Sequence, residues 1–179
     1  MSVNMQSYAQ ALYDLAKEQQ LEDAILQEIE TLSQAFGAQP DYLRLLASHS
    51  LSKQERCQIL DDSFRGKIQP YLLNFLKVLT EKGYIRQFPE CAKGYRSLYN
   101  TEHGILCVEA VSALPLSLQQ SQRLSAKLAD ITGKQIQLIN RVDPDCMGGV
   151  RLNYDGKCVD GTVLSRLEAI GNLLKNTVL

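Results

Sequence analysis

The sequence of 179 residues contains no tryptophan, only two histidines, and five cysteines without a Cys-x-x-Cys pair. An odd number of widely spaced cysteines favours free, reduced thiols over a framework of disulfides. A structural zinc site needs Cys and His ligands at close spacing, and the sequence offers no such group. It therefore predicts neither a metal site nor a small secreted domain held by disulfides.

An excess of charge of one sign is also missing. The formal net charge is −1, with 11 basic and 13 acidic residues in 1–103 and 8 basic and 7 acidic residues in 104–179. Nucleic-acid-binding domains usually carry a basic surface, so nucleic acid is not predicted as a partner. No apolar run approaches the roughly 20 residues of a membrane span, and the N-terminus lacks the pattern of a secretory signal. We therefore expect an ordered intracellular protein without direct membrane insertion.

Residues 1–103 show helical periodicity throughout, which predicts an all-α bundle of six helices with short connections. The first helix, near Tyr8, carries two adjoining apolar stripes. The stretch PYLLNFLKVLTEKG, residues 70–83, is apolar around nearly its whole circumference. Both helices thus have more apolar surface than one core contact requires, and this indicates a surface shared with a partner.

The periodicity changes at residue 104, and residues 104–179 predict a small α+β domain with the order strand, helix, strand, hairpin, helix. The stretch ILCVEAVSA is β-branched and lacks a helical stripe, and QIQLINRV alternates, so both predict strands. Residues 163–174 carry one apolar stripe and predict the closing helix. The fold class is therefore two-domain, with a helical bundle in 1–103 and an α+β domain with a β-hairpin in 104–179.

Two capping boxes mark predicted helix starts, one in each half. They are formed by Ser52 with Glu55 and by Ser117 with Gln120. In such a pair each side chain accepts a hydrogen bond from the other residue's free backbone N–H group.

Residues 142–162 are rich in glycine and contain a lysine, which raises the question of a phosphate-binding loop. The spacing GxxxxGK followed by Ser or Thr is not met, because Gly149 and Gly156 lie too far apart and Cys158 occupies the hydroxyl position. Asp155–Gly156 between alternating residues instead predicts a type I′ hairpin turn. The pattern therefore favours a hairpin over a nucleotide site, and no cofactor is expected.

This turn sets the register of the hairpin. It pairs Tyr154 with Lys157, Asn153 with Cys158, Leu152 with Val159, and Arg151 with Asp160. Val150, Leu152 and Val159 then share one face, which we expect to lie on the core. Gly148–Gly149 begin the hairpin, where they serve either a backbone bend or the close approach of another chain.

No catalytic set emerges from the sequence. Neither His49 nor His103 has a neighbouring Ser or Cys in a nucleophile motif. Asp143 and Asp145 flank a proline, which favours a turn over acid–base chemistry. The pattern indicates binding rather than catalysis.

Four stretches together resemble the delta subunit family of F-type ATP synthases, whose mitochondrial counterpart is the oligomycin-sensitivity-conferring protein. They are YAQALYDLAKEQ, LLNFLKVLTEKGYIRQFPECAKGY, VSALPLS and GKQIQLINRVDPDCMGGVRLNYDGKCVDGTVLSRLEAI. The resemblance runs from about Ser7 to the C-terminus. The family often has an arginine near the position of Tyr84. It also more often has aliphatic residues at the positions of Cys146 and Cys158.

The resemblance implies a non-catalytic stator subunit, present in one copy per complex. It would connect the catalytic head to the peripheral stalk while protons cross the membrane sector. The helical domain would bind N-terminal segments of the alpha subunits, and the C-terminal domain would bind the b subunits. The implied location is peripheral, on the cytoplasmic side of a bacterial plasma membrane.

The family's head contact uses a groove between the first and fifth helices. In this sequence the resemblance implies a groove formed by Tyr8, Ala11, Leu12 and Leu15, with Leu73, Leu76 and Lys77 at its edges. For the b subunits it implies a contact at Met147, Gly148 and Gly149. Three alternatives stay open: a helical adaptor of another complex, an enzyme using a nucleotide or a cysteine nucleophile, and RNA binding through the α+β half.

Overall fold

A computed structural model of the chain describes residues 5–48, 51–146, 148–154 and 156–161. Contacts divide the chain into two compact units between Tyr99 and Asn100. We call them the N-terminal unit and the C-terminal unit. Helices come first along the chain and a small sheet follows, which is compatible with the predicted two-domain fold class. Several predictions lie outside the described residues, namely those on His49, Met147, Asp155 and the closing helix 163–174.

The N-terminal unit is helical. Its elements are α1 (Met5–Glu18), α2 (Glu22–Ala38), α3 (Pro40–Leu46), α4 (Lys53–Phe64), α5 (Pro70–Glu81), a 3-10 turn (Ile85–Gln87) and α6 (Phe88–Glu102) up to the unit boundary after Tyr99. Pro40 and Pro70 occupy the first positions of α3 and α5, where a missing N–H group costs nothing. The helix predicted from about Tyr84 begins only at Phe88, because the chain first makes the 3-10 turn.

The core of the N-terminal unit contains a cluster of aromatic rings. Phe36 of α2 lies with its ring centroid 5.3 Å from that of Phe88 in α6, and Tyr13 of α1 lies 5.3 Å from Tyr95 of α6. Both pairs are edge-to-face, the arrangement that ring quadrupoles favour. The Tyr95 hydroxyl donates a hydrogen bond to the backbone carbonyl of Glu22 at 3.1 Å, so its polar end is satisfied.

The C-terminal unit contains one mixed sheet. Its described elements are β1 (Ile105–Ser112), α7 (Leu118–Thr132), β2 (Gln135–Val142), a 3-10 turn (Pro144–Cys146), β3 (Val150–Tyr154) and β4 (Lys157–Asp160). The strand order is β2-β1-β3-β4. β1 and β2 are parallel, and α7 is the crossover that a parallel pair requires, whereas β3 is antiparallel to both of its neighbours.

The predicted hairpin register is confirmed at all four residue pairs of β3 and β4. Arg151 Nε lies 3.7 Å from Asp160 Oδ2, so the expected cross-strand charge pair is present. Val159 pairs with Leu152, which pairs with the buried Ala110, so it lies on the predicted face. The expectation that it is covered by the core is wrong, since 52% of its surface is exposed. β4 is the edge strand of the sheet, and its residues are all exposed.

Asn140 of β2 ties the end of the parallel pair to the VSALPLS connection. Its amide nitrogen donates to the Ala110 carbonyl and to the Ser112 hydroxyl, each at 2.9 Å. Its amide oxygen accepts a hydrogen bond from the Leu116 backbone N–H at 2.8 Å. One side chain thereby satisfies the Leu116 N–H group in the connection before α7 and ties this connection to the end of β1.

Candidate partner-binding groove

The first helix has two apolar stripes with different surroundings. One stripe is buried in the core and consists of Met5, Ala9, Leu12, Tyr13 and Ala16. The other runs along the flank at helical spacing through Tyr8, Ala11, Leu15 and Glu18. Tyr8 and Leu15 are half-buried, and Ala11 and Glu18 are exposed. This flank therefore combines apolar surface with access to solvent.

The fifth helix repeats the arrangement. Its core stripe consists of Leu72, Leu73, Leu76, Leu79 and Thr80. A second stripe runs through Tyr71, Phe75, Val78 and Lys82, with spacings of four, three and four residues. Tyr71 and Phe75 are half-buried, while Val78 is 42% exposed and Lys82 is exposed.

Two contacts place these flanks next to each other. The Tyr71 hydroxyl donates a hydrogen bond to Gln19 Oε1 at 3.1 Å, just beyond the C-terminal end of α1. At the other end of α1, the Tyr8 ring lies edge-on to the Tyr84 ring, with centroids 6.2 Å apart. The two helices are therefore antiparallel neighbours, and the surface between their flanking stripes is the candidate groove. We call it the α1–α5 groove.

The backbone at the end of α5 positions Tyr84. Gly83 adopts a positive φ of 79°, which permits the Schellman turn that ends the helix. In this turn the Tyr84 N–H donates to the Leu79 carbonyl at 2.7 Å, and the Gly83 N–H donates to the Thr80 carbonyl at 3.1 Å. Tyr84 thus leaves the helix in a fixed direction and closes one end of the α1–α5 groove against Tyr8.

The side chains predicted for the groove occupy different depths. Tyr8, Ala11 and Leu15 reach its surface. Leu12 and Leu73 are only 4% and 7% exposed, and Leu76 is fully buried, so these three belong to the layer beneath. Lys77 lies on the α4 side of α5. The α5 stripe of Tyr71, Phe75 and Val78 was not predicted as part of the groove, although its helical spacing is visible in the sequence.

Ionic contacts fix the opposite flank of α5 to α4. Lys77 Nζ lies 2.7 Å from Asp61 Oδ1. This hydrogen bond from the ammonium group, together with the charge of Lys77, holds the pKa of the Asp61 carboxyl below its ordinary value. Nearby, the Cys57 thiol lies 3.7 Å from Glu81 Oε1, and burial followed by the Glu81 charge raises the pKa of that thiol. α5 is thus held on one flank and open on the other.

A second cleft lies between α2 and α6 and has a volume of about 270 Å³. Its apolar lining includes Leu26, Ile29 and Ala92, and an ion pair between Arg96 and Glu30 borders it. Its described lining contains no cysteine, the nucleophile that the enzyme hypothesis names.

The glycine pair at the start of β3 has unusual backbone angles. Gly148 has a φ of 144° and Gly149 a φ of 82°, in the region that side chains rarely adopt. Conformation alone therefore explains the glycines, and Gly149 is also exposed. Of the predicted contact residues, Gly148 is half-buried and Gly149 is exposed, and Met147 lies outside the described residues.

The five cysteines all lie in the described part of the chain and are free thiols. Within residues 5–48, 51–146, 148–154 and 156–161, no three metal-ligating side chains come together. In those same ranges, no helix combines the length and the apolar character needed to cross a membrane.

Comparison with known proteins gives a consistent result. Residues 5–174 match the family described as ATP synthase delta (OSCP) subunit. A protein named ATP synthase subunit delta from Moorella thermoacetica is 33% identical over 168 residues, covering 94% of each chain. One from Desulfitobacterium hafniense strain Y51 is 31% identical and covers 96% of each. In fold, the chain resembles one in the cryo-EM structure of the Toxoplasma gondii mitochondrial ATP synthase hexamer. That match has a TM-score of 0.74 at 24% identity and covers 97% of this chain and 98% of the other.

Proposed function

Because this chain belongs to the ATP synthase delta (OSCP) subunit family, it is a non-catalytic subunit of the peripheral stalk, and we propose that each unit binds one partner. The N-terminal unit, as a six-helix bundle, binds N-terminal helical segments of the alpha subunits. The C-terminal unit binds the b subunits. The chain then holds the catalytic head stationary from the cytoplasmic side of the membrane, as one peripheral copy per complex.

The α1–α5 groove is the observation that carries the alpha-subunit contact. An amphipathic helix binds by placing its apolar face into a groove of this kind, anchored at helical spacing. Tyr8, Ala11 and Leu15 line one wall, and Phe75 and Val78 line the other. Leu12, Leu73 and Leu76 support the walls from the core, and Lys77, held by Asp61, fixes the far edge of α5.

Val78→Asp tests this contact without disturbing the core, since Val78 is 42% exposed. A carboxylate in an apolar anchor position must lose its hydration when the partner binds. We expect the Kd for an alpha N-terminal peptide to rise at least about tenfold, equivalent to about 1.4 kcal/mol. Isothermal titration calorimetry provides the measurement.

Leu45→Asp is the matched control. Leu45 of α3 is 44% exposed, so the two variants add the same charge at the same accessibility. The control should bind like the parent protein. Equal losses of affinity, or none for Val78→Asp, would place the alpha-subunit contact elsewhere.

For the b subunits, we propose a contact beside Met147, Gly148 and Gly149. Gly149 is exposed, and the neighbouring Asp145 is exposed as well, so a large partner can approach there. The glycines serve the bend and also leave the backbone uncovered.

A photo-crosslinking residue at position 145 tests the b-subunit contact. In place of Asp145, benzoylphenylalanine should crosslink to a b subunit in the assembled enzyme. The same residue in place of Asp130, exposed on α7, serves as the comparison. Crosslinks to a b subunit from position 130 but not from position 145 would show that the b-subunit contact lies at α7 and not beside Gly149.

A further inference from the structure

The α1–α5 groove carries opposite charges at its two ends. The α1 stripe ends in Glu18 and the α5 stripe ends in Lys82. Because the helices are antiparallel, these two charges do not neighbour each other. Glu18 lies at the end marked by the Tyr71–Gln19 hydrogen bond, and Lys82 lies at the end closed by Tyr8 and Tyr84.

The distance between the charges suits a short helix. From Tyr8 to Glu18, α1 advances about 15 Å at 1.5 Å per residue, the length of about three helical turns. Between the charged ends, the walls offer Tyr8, Ala11 and Leu15 on one side and Phe75 and Val78 on the other. A bound helix of that length would therefore meet apolar surface in its middle turn and one charge near each end.

We propose that this charge pattern selects the partner helix and sets its direction in the groove. The matching helix is amphipathic, with a basic side chain in the turn that lies against Glu18 and an acidic side chain in the turn that lies against Lys82. A helix bound in reverse would place like charges together at both ends. This inference rests on the proposed function, since it describes the ligand of the same groove.

Exposed charge pairs at the rim of an interface contribute modestly and depend on salt. Glu18→Lys and Lys82→Glu should therefore each raise the Kd for an alpha N-terminal peptide about three- to tenfold at low salt. The effect should shrink at 0.5 M NaCl, where the screening length falls to a few ångströms. An effect of unchanged size at high salt would overturn the inference.

Two control variants change the net charge by the same amount outside the groove. Glu90→Lys lies in the first turn of α6, and Lys53→Glu lies in the first turn of α4; both residues are exposed. They should leave the Kd unchanged at either salt concentration. If they weaken binding as much as the groove variants, net charge and not the groove pattern is responsible.

A spin label on the peptide's most basic turn tests the direction independently. In NMR spectra of the full chain, it should broaden the amide signals of Gln19 and Tyr71 more than that of Tyr84. Stronger broadening of Tyr84 would overturn the inference while leaving the groove occupied. If the unlabelled peptide fails to bind the parent protein at all, the proposed function itself fails.

Discussion

At the scale of single residues, two glycines lie inside helices in different surroundings: one is closely packed and the other is not. Gly94 of α6 faces Ala9 of α1, and a Cβ atom added at position 94 would lie only 2.8 Å from the Ala9 Cβ. Gly37 of α2 has no atom within 4 Å of the corresponding position. The glycine at 94 therefore permits a close helix crossing, whereas the one at 37 has no packing role.

Alanine substitutions at these two positions should change the free energy of unfolding in opposite directions. Alanine forms helix better than glycine by about 1 kcal/mol, so Gly37→Ala should stabilise the protein by roughly 0.5–1 kcal/mol. In Gly94→Ala the clash must be relieved by moving α1 or α6, and overpacking of this kind costs about 1–3 kcal/mol. Urea unfolding followed by circular dichroism measures both; stabilisation by Gly94→Ala would contradict the close crossing.

Sequence patterns identified residues whose roles are local. Both capping boxes are confirmed, with the Ser52 N–H donating to Glu55 Oε2 at 2.8 Å and the Ser117 N–H donating to Gln120 Oε1 at 2.9 Å. A capping box is complete within four residues, so its pattern is visible in the sequence. The role of Gly94 depends on a residue 85 positions away, and no local pattern carries that information.

At the scale of elements, α4 and α5 are joined by an ion pair that depends on pH. The hydrogen bond from Lys77 lowers the pKa of Asp61 in the folded state. A carboxyl whose pKa is lowered by folding adds stability above its unfolded pKa, near 3.9, and that stability is lost as the pH falls through the folded value.

Asp61→Asn should therefore destabilise the protein at pH 7 and have a smaller effect in acid. The difference in unfolding free energy between the parent and the variant should be constant above about pH 5 and shrink below about pH 4. Urea titrations at several values from pH 3 to pH 7 provide the test. A difference that stays constant over this range would show that the hydrogen-bond geometry, not the carboxylate charge, stabilises the pair.

Strand pairing was predictable where a turn specified it. The register of β3 with β4 followed from one turn and from alternation along the strands, and all four pairs are confirmed. Burial was not predictable in the same way. Alternation along a strand shows which residues share a face of the sheet, but it does not show whether another element covers that face. Val159 alternates correctly with its neighbours and is still 52% exposed on the edge strand.

At the scale of the whole molecule, the sequence predicts a helical part followed by a part with strands, and the structure has this order. The proposed α1–α5 groove lies on two helices that the sequence also singles out, but the depth of its side chains differs from the prediction. Excess apolar surface on α1 and α5 was visible from composition and spacing. The depth of each residue depends on how the helices pack, so Leu12 and Leu76 could not be separated from Leu15 and Val78 by spacing alone.

The accessibility of the cysteine thiols can be used to follow the unfolding of both units. Cys91 in the N-terminal unit and Cys146 in the C-terminal unit are buried, whereas Cys158 on β4 is exposed. Burial also raises the pKa of Cys91 to about 11, and its thiol lies 3.7 Å from the Met5 sulfur. The thiolate is the reactive form of cysteine. Cys91 is therefore protected from reagents in two ways: its burial blocks their access, and its raised pKa keeps the thiol protonated.

We expect a thiol reagent at pH 8 to modify Cys158 in the native protein and to leave Cys91 and Cys146 unmodified. In rising urea, Cys91 should become reactive as the N-terminal unit unfolds, and Cys146 as the C-terminal unit unfolds. Pulse labelling with mass spectrometry follows each site, and a Cys158→Ser variant removes the signal of that site. Native labelling of Cys91 or Cys146 at the rate of Cys158 would contradict their burial, because a closed core admits the reagent only when its unit opens.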